Sequence, residues 1–278
     1  MVEIEILSLG EVPETLLGKI ELWAREIINE ADKENGPERI SVFLWEHIQD
    51  FEEFDAREKA ELGIATTGDA DFLATHEAWR GYPRIHVPIE KIRGLSEDLI
   101  RGIVQHEIGH ALLHGSQEFY QFRFSPALQT AGSRMGLDWP MLQQLIYLLS
   151  IALKDAEVMR FLSARGAGIY QSRFLEYLLK DTDEENQTWA MIREDLALSR
   201  LGIAAFLKTR LPIEALAEGR NPEAAAPIEK WGVAYDWLTD IEKSELKTLS
   251  RFVLDRPDLS FQDLLEQTAL ELIRISFP

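Results

Sequence analysis

A chain of 278 residues, 46% of them hydrophobic, is long enough to bury a sizeable core as one large or two modest domains. It contains no cysteine, which excludes disulfides, thiolate catalysis and cysteine-ligated zinc together. A formal net charge of -19 argues against nucleic acid and anionic membranes as partners, because phosphate contacts draw on clusters of Lys and Arg.

The N-terminus alternates apolar and charged residues and lacks the basic start and long apolar run of a signal peptide, so a cytoplasmic location is expected. Glu3 to Leu9 reads as a strand, Pro13 to Asp32 as an amphipathic helix, and Arg39 to Trp45 as a second strand; Glu34-Asn35-Gly36-Pro37 is the turn between the last two. Residues 46 to 62 are charged and fit a loop or a helix. Ile64 to Thr67, Ala70 to Thr75 and Pro83 to Pro88 are short strand candidates set between Gly63, Gly68, Gly81 and Gly94. A helix is predicted over 97 to 114, with Ser96 as N-cap, Glu97 and Asp98 in the first turn, and Gly115 as the stop. Residues 115 to 137, with Phe119, Tyr120, Phe122 and Phe124, form either a lid or a packed connector.

Asp138 to Arg165 reads as one long helix, with Asp138 as N-cap, Pro140 in the first turn and Gly166 after the end. Its apolar run is too uniform for a surface helix and shorter than the ~20 residues of a membrane span, so it is expected to be a core helix. Beyond it, Tyr170 to Lys180, Asn186 to Lys208, Pro212 to Ala217, Pro227 to Asp240, Ser244 to Leu254 and Ser260 to Ile275 are helix candidates, and Gly219 to Pro227 is the clearest linker. Trp231 and Trp237 read as core anchors. The expected class is α+β: a small mixed sheet packed on the 97 to 114 helix, followed by a mainly helical C-terminal half, with domains at 1–165 and 166–278.

One pentapeptide carries chemistry. His106 and His110 stand four apart, about 40° in azimuth and about 6 Å in height on a helix, so both imidazoles can reach one cation. Glu107 is too far around to replace either histidine, yet it can lean toward a metal-activated water as general base. Leu99, Ile100, Ile103, Val104, Ile108, Ala111, Leu112 and Leu113 recur at helical offsets and give this helix an apolar back.

His106-Glu107-Ile108-Gly109-His110-Ala111-Leu112-Leu113-His114-Gly115 resembles the active-site helix of the zincin metallopeptidases, and it is similar in wording to ImmA/IrrE-like and other gluzincin-type members. The likeness covers about twenty residues. It implies a small twisted sheet beside the active-site helix and a second helix that brings a third ligand; it fixes no substrate. Arg84-Ile85-His86-Val87-Pro88 is similar to the strand that zincins place along the cleft, where an edge strand can pair with an extended peptide. His76 and His86 have readings as substrate or metal contacts, but fit more simply as histidines on the polar side of a strand.

A catalytic zinc site needs three protein ligands and one open position. His114 lies about 12 Å along the axis from His106, too far for the same ion on a straight helix, and reads as a C-terminal residue interacting with the helix dipole. No histidine follows it. A carboxylate is therefore expected, and Asp155, at the end of the long apolar run, is favoured over Glu157, which lies about 200° away around the helix. Glu157 and Arg160 also read as an ordinary surface ion pair. Gluzincin-like relatives often carry Asp or Asn four residues after the acidic ligand to support a histidine; with Asp155 as ligand, Met159 falls at that place and cannot do so.

The expected activity is peptide hydrolysis. Zn2+ held by His106, His110 and Asp155 lowers the pKa of water, and Glu107 takes its proton and passes it to the leaving amine. Tyr147, Tyr170 and Arg160 are candidate oxyanion stabilisers. The alternative is a zinc-stabilised regulatory or partner-binding protein without proteolytic activity.

Overall fold

The computed structural model describes residues 2–30, 36–63, 72–180, 182–218 and 221–275, and the chain forms two compact units, Met1–Tyr120 and Gln121–Pro278. The class is α+β with a helical C-terminal half.

The first unit runs β1 (Glu3–Leu9), α1 (Glu14–Glu30), β2 (Arg39–Trp45), α2 (Ile48–Leu62), β3 (Thr75–Glu77), β4 (Arg84–Pro88), α3 (Ile89–Ile92), α4 (Glu97–Leu113) and a short 3-10 turn at Gln117–Tyr120. The choice between loop and helix for 46 to 62 is settled by α2, which ends at Gly63 in the left-handed region. The sheet order is β1-β2-β4-β3, with β1, β2 and β4 parallel and β3 antiparallel to β4. Parallel neighbours need a crossover, and α1 and α2 supply it.

That order corrects one expectation. Arg84–Pro88 is an inner strand between β2 and β3, buried at every residue, so it offers no free edge; the edge strands are β1 and β3. Of the two candidates before it, Ala70 to Thr75 is described from residue 72, and of residues 72–75 only Thr75 lies in a strand, while Ile64 to Thr67 lies outside the described residues.

Both faces of the central strands are covered, as a parallel sheet requires. One face carries Phe43, Trp45 and His86 against Phe51 and Phe54 of α2; the His86 ring lies 5.1 Å from Phe43 and 4.8 Å from Phe51. The other carries Ile85 and Val87 beneath α4, which packs on α1, β3 and β4. His86 is therefore not on a polar side. Trp45 Nε1–H donates to its Nδ1 at 3.1 Å, which leaves the proton on Nε2, 3.2 Å from Glu77 Oε1. Arg84 closes this buried network by bonding Glu77 and donating to Glu58 at 3.1 Å. Burial pushes the Glu77 carboxyl up to about 8 against the pull of Arg84.

The second unit is helical: α5 (Pro126–Arg134), α6 (Trp139–Ser163), α7 (Gly168–Leu178), α8 (Asp183–Ile192), α9 (Leu196–Leu216), α10 (Ala225–Ala234), α11 (Asp240–Leu254) and α12 (Phe261–Arg274). α6 starts where its sequence says. The Asp138 carboxylate accepts from Met141 N–H at 2.9 Å, Pro140 sits in the first turn, and Gly166 follows the end with φ 74°. Leu142, Leu145, Ile146, Leu149, Leu153 and Leu162 bury the apolar run. α6 lies chiefly along α9, with α12 also against it, so it belongs with the helical unit; the chain divides after Tyr120 rather than after residue 165.

Asn186 to Lys208 is not one helix. Asp195 breaks it, its carboxylate accepting from Ala197 and Leu198 N–H at 2.9 Å to begin α9. Pro212 then lies inside α9 instead of opening a new helix. The expected linker is shorter too: Gly219 lies outside the described residues, Pro222–Ala224 is a 3-10 turn, and α10 begins at Ala225. Trp231 is buried and stacks on Tyr235, 4.9 Å between centroids. Arg160 binds the carboxylate of Glu218 and the carbonyl of Leu254 at 2.6 Å each. Among the described residues no helix is long and apolar enough to cross a membrane.

Burial, with Arg84 nearby, pushes the His86 imidazole down from 6.5 to about 3. The unfolded chain takes up that proton first as pH falls, so this contribution to stability is complete above pH 6.5 and is lost progressively toward pH 3. The expected slope is about 1.4 kcal/mol per pH unit. In urea titrations, the stability advantage of wild type over His86→Asn shrinks across that window; an advantage independent of pH would show that folding leaves His86 unperturbed.

Candidate metal centre

α4 starts as its sequence predicts: Ser96 Oγ accepts from Leu99 N–H at 3.4 Å, and Glu97 and Asp98 occupy the first turn. Its apolar back is buried through Leu99, Ile103, Val104, Ile108, Ala111 and Leu112. The opposite side is buried as well. Gln105, His106, Glu107 and His110 are each no more than 6% exposed, so their polar atoms must find partners within the protein.

The partners are largely one another. His106 Nε2 and His110 Nε2 stand 3.0 Å apart, with the two rings nearly perpendicular. The other nitrogen of His110, Nδ1, lies 3.1 Å from Nδ1 of His114, and His114 is completely buried. His76, in the middle of β3, stacks flat on His110 with centroids 4.1 Å apart and 5° between the planes. Its Nδ1 is 3.0 Å from Glu107 Oε2. The glutamate thus has one oxygen engaged.

The 3-10 turn after α4 packs over this array. Phe119 meets His114 edge-on at 4.9 Å, Tyr120 lies 6.3 Å from the His76 ring, and Gln117 Nε2–H donates to Trp79 carbonyl at 2.6 Å. Burial, reinforced by the charges of Glu77 and Glu107, pushes the Tyr120 phenol up. Residues 117 to 120 are therefore a packed turn of the first unit, while 126 to 134 form α5 of the second.

The geometry suits a cation. Two ligands at about 2.0–2.1 Å in a tetrahedral shell lie about 3.3 Å apart, close to the 3.0 Å between the two Nε2 atoms. Here the i, i+4 spacing has turned the same nitrogen of each ring inward, the arrangement that one shared ion needs.

Asp155 occurs on α6 of the second unit, half-buried between Lys154 and Ala156, both buried. Burial pushes Lys154 down to about 8, with Asp155 pulling the other way. Glu157 is exposed on the same helix, and Met159, four residues beyond Asp155, is a core residue at 1% exposure. Of the candidate oxyanion donors, Tyr147, Tyr170 and Arg160 all lie in the second unit, and Arg160 is engaged by Glu218.

Sequence reasoning placed His106, Glu107 and His110 together but not His76 or His114. For His114 the signal was available, since 106, 110 and 114 form one i, i+4 row and a neighbour need not share the ion in order to touch its ligand. For His76 no local pattern exists; only the antiparallel return of β3 beside β4 brings it to α4. No family model matches this chain, and neither a curated protein nor a solved structure matches it.

Proposed function

We propose that the chain is a zinc-dependent metallopeptidase, with His106, His110 and Asp155 holding the ion and Glu107 serving as general base. The observation that carries this reading is the pair of Nε2 atoms 3.0 Å apart on a buried helix, with the Glu107 carboxylate bonded beside them by His76. His106, His110 and Asp155 each offer one donor atom, a set that could hold a metal ion. Two imidazoles and one carboxylate form a ligand set that zinc accepts while keeping a position for water. The resemblance of this helix to the zincin active-site helix points the same way, and a cytoplasmic location goes with the reading.

Bound zinc would supply Lewis acidity, polarising a peptide carbonyl and making water a better nucleophile at neutral pH. The remaining work falls to the chain. Glu107 removes the proton of the attacking water and returns it to the leaving amine. With Oε2 held by His76, the other oxygen, Oε1, is the one presented to water, and the carboxylate cannot swing freely. β3 is an edge strand and carries His76 at its centre, so an extended peptide paired along β3 runs past Glu107. Burial of the array keeps bulk water from screening the charges that develop.

Wild-type protein dialysed against zinc and then against buffer retains one ion per chain by elemental analysis. Glu107→Gln keeps that ion and loses peptide hydrolysis by a factor of about 10²–10⁴. Full activity in Glu107→Gln sinks the mechanism. Asp155→Asn loses the ion, whereas Glu157→Gln retains it; the reverse result would assign the third ligand to Glu157.

His76→Ala is expected to lower kcat by about tenfold to a hundredfold with KM little changed, because the base is misplaced but substrate binding is not. An unchanged kcat once loss of folded protein is accounted for, or a change confined to KM, would show that His76 serves folding or binding instead.

A further inference from the structure

We infer that His114 is a positioning residue for the metal ligand His110: it accepts the Nδ1 proton of His110 and thereby turns the Nε2 lone pair toward the ion. The inference rests on the zinc reading above and concerns a residue to which that reading gives no task.

The argument begins with His110. A neutral imidazole has one N–H and one lone pair, and a ring that binds metal through one nitrogen must carry its proton on the other. Ligand histidines place that proton on a fixed acceptor, which sets both tautomer and ring orientation. In His110 the inward nitrogen is Nε2, 3.0 Å from its counterpart in His106, so the proton belongs on Nδ1. The atom facing Nδ1 is Nδ1 of His114, at 3.1 Å. With His110 donating, His114 accepts through Nδ1 and keeps its own proton on Nε2.

His114 is built to hold that place. It is completely buried, its backbone N–H donates to the His110 carbonyl at 2.7 Å, and Phe119 meets its ring edge-on at 4.9 Å. The next residue has no room for a side chain: a Cβ on Gly115 would come within 2.3 Å of the Ala111 carbonyl oxygen and 3.1 Å of Pro83. The helix end is therefore fixed where the imidazole needs it. A histidine that merely met the helix dipole would do so as a charged, solvated group, whereas this one is buried against a second imidazole.

This also accounts for Met159. In the resemblance, the residue four beyond the acidic ligand supports a histidine from the other helix. Here that position is apolar and buried, and the support for His110 comes instead from its own helix, one turn on.

The test is zinc affinity, measured by competition with a chromophoric chelator on the full chain. Asn places its side-chain oxygen near the position of the His Nδ1 atom, whereas Leu offers no acceptor. His114→Leu is expected to bind zinc 10–100-fold more weakly than wild type, as ligand-supporting residues generally do, and His114→Asn to recover most of the loss. Equal affinity in wild type and His114→Leu, or an Asn variant as weak as Leu, overturns the inference. Should His114→Leu not fold, 15N NMR of the zinc-loaded wild type decides. His114 is expected with its proton on Nε2, and a proton on its Nδ1 overturns the assignment. Failure of the wild-type chain to take up zinc overturns both this inference and the peptidase reading; uptake with an unaffected His114→Leu overturns this one alone.

Discussion

A helix that buries both its apolar and its polar side has to satisfy its polar atoms within reach of its own turns, and α4 is such a helix from Gly102 to Leu112. Burying an imidazole or carboxylate without a partner costs several kcal/mol, comparable to a large part of a domain's stability. The solution is local. His106, His110 and His114 are successive members of one i, i+4 row, and their nitrogens meet in pairs along it. Glu107 and Gln105 turn away from the row: Glu107 meets His76 from the sheet, and Gln105 Nε2–H donates to Glu26 of α1 at 3.3 Å. The hydrogen bonds have a direction as well as a geometry, because each neutral ring can donate once. An ion held at the two Nε2 atoms would set the direction of the whole row, so a residue that touches no ion could still matter to binding.

The strand β3 contributes to both faces of the sheet. Alternation along a strand sends His76 toward α4 and Glu77 toward α2, so adjacent residues join two separate polar networks. On the α2 side, Glu77 meets His86 and Arg84 inside an aromatic box of Phe43, Trp45, Phe51 and Phe54. That network is fully paired around His86: both ring nitrogens have protein partners, and the ring is held neutral by burial. On the α4 side the histidine nitrogens converge on one another. The contrast separates a histidine paired within the protein from one disposed to share an ion. In the first, both nitrogens face fixed donors and acceptors of the protein; in the second, two like lone pairs point at the same place, which is tolerable only with a shared proton or a shared cation.

Much of the fold follows from local pattern. Glu3–Leu9 and Arg39–Trp45 are strands at the residues expected, and Ser96 and Asp138 cap the helices their sequence assigned to them. The misplacements share a cause. The resemblance to a zincin cleft strand implies an edge at Arg84–Pro88, yet edge or interior is a property of strand order, and the short β3 that covers it is only Thr75–Glu77. Asn186 to Lys208 has helical periodicity throughout, and a single Asp195 breaks it by offering a carboxylate to two backbone N–H groups that a continuous helix would have used elsewhere. His86 seemed a polar-side histidine because its sequence neighbours Arg84 and Pro88 do not show that its opposite strand supplies Phe43. In the site, the spacing of His106 and His110 was sufficient to align the two Nε2 atoms, whereas His76 depends on a contact across 31 positions of chain.

The segment His106 to Tyr120 contains its own stop, and that stop shapes the array. α4 could not run on past His114 without carrying the next side chains along the same axis, away from the sheet. Gly115 ends it by allowing the backbone to approach Ala111 and Pro83 more closely than any side chain permits. The chain then folds back as the Gln117–Tyr120 turn, and Gln117 ties it to the Trp79 carbonyl beyond β3. Phe119 thereby reaches His114 and Tyr120 reaches His76, the two rings that flank His110 at its Nδ1 and over its face. Position in the motif and position in the turn are thus coupled: His110 is held on one side through the helix and on the other through the sheet, and the turn presses on both holders. A side chain so constrained would lose little conformational entropy on binding an ion, and that preorganisation distinguishes this helix from any surface helix that happens to carry two histidines four apart.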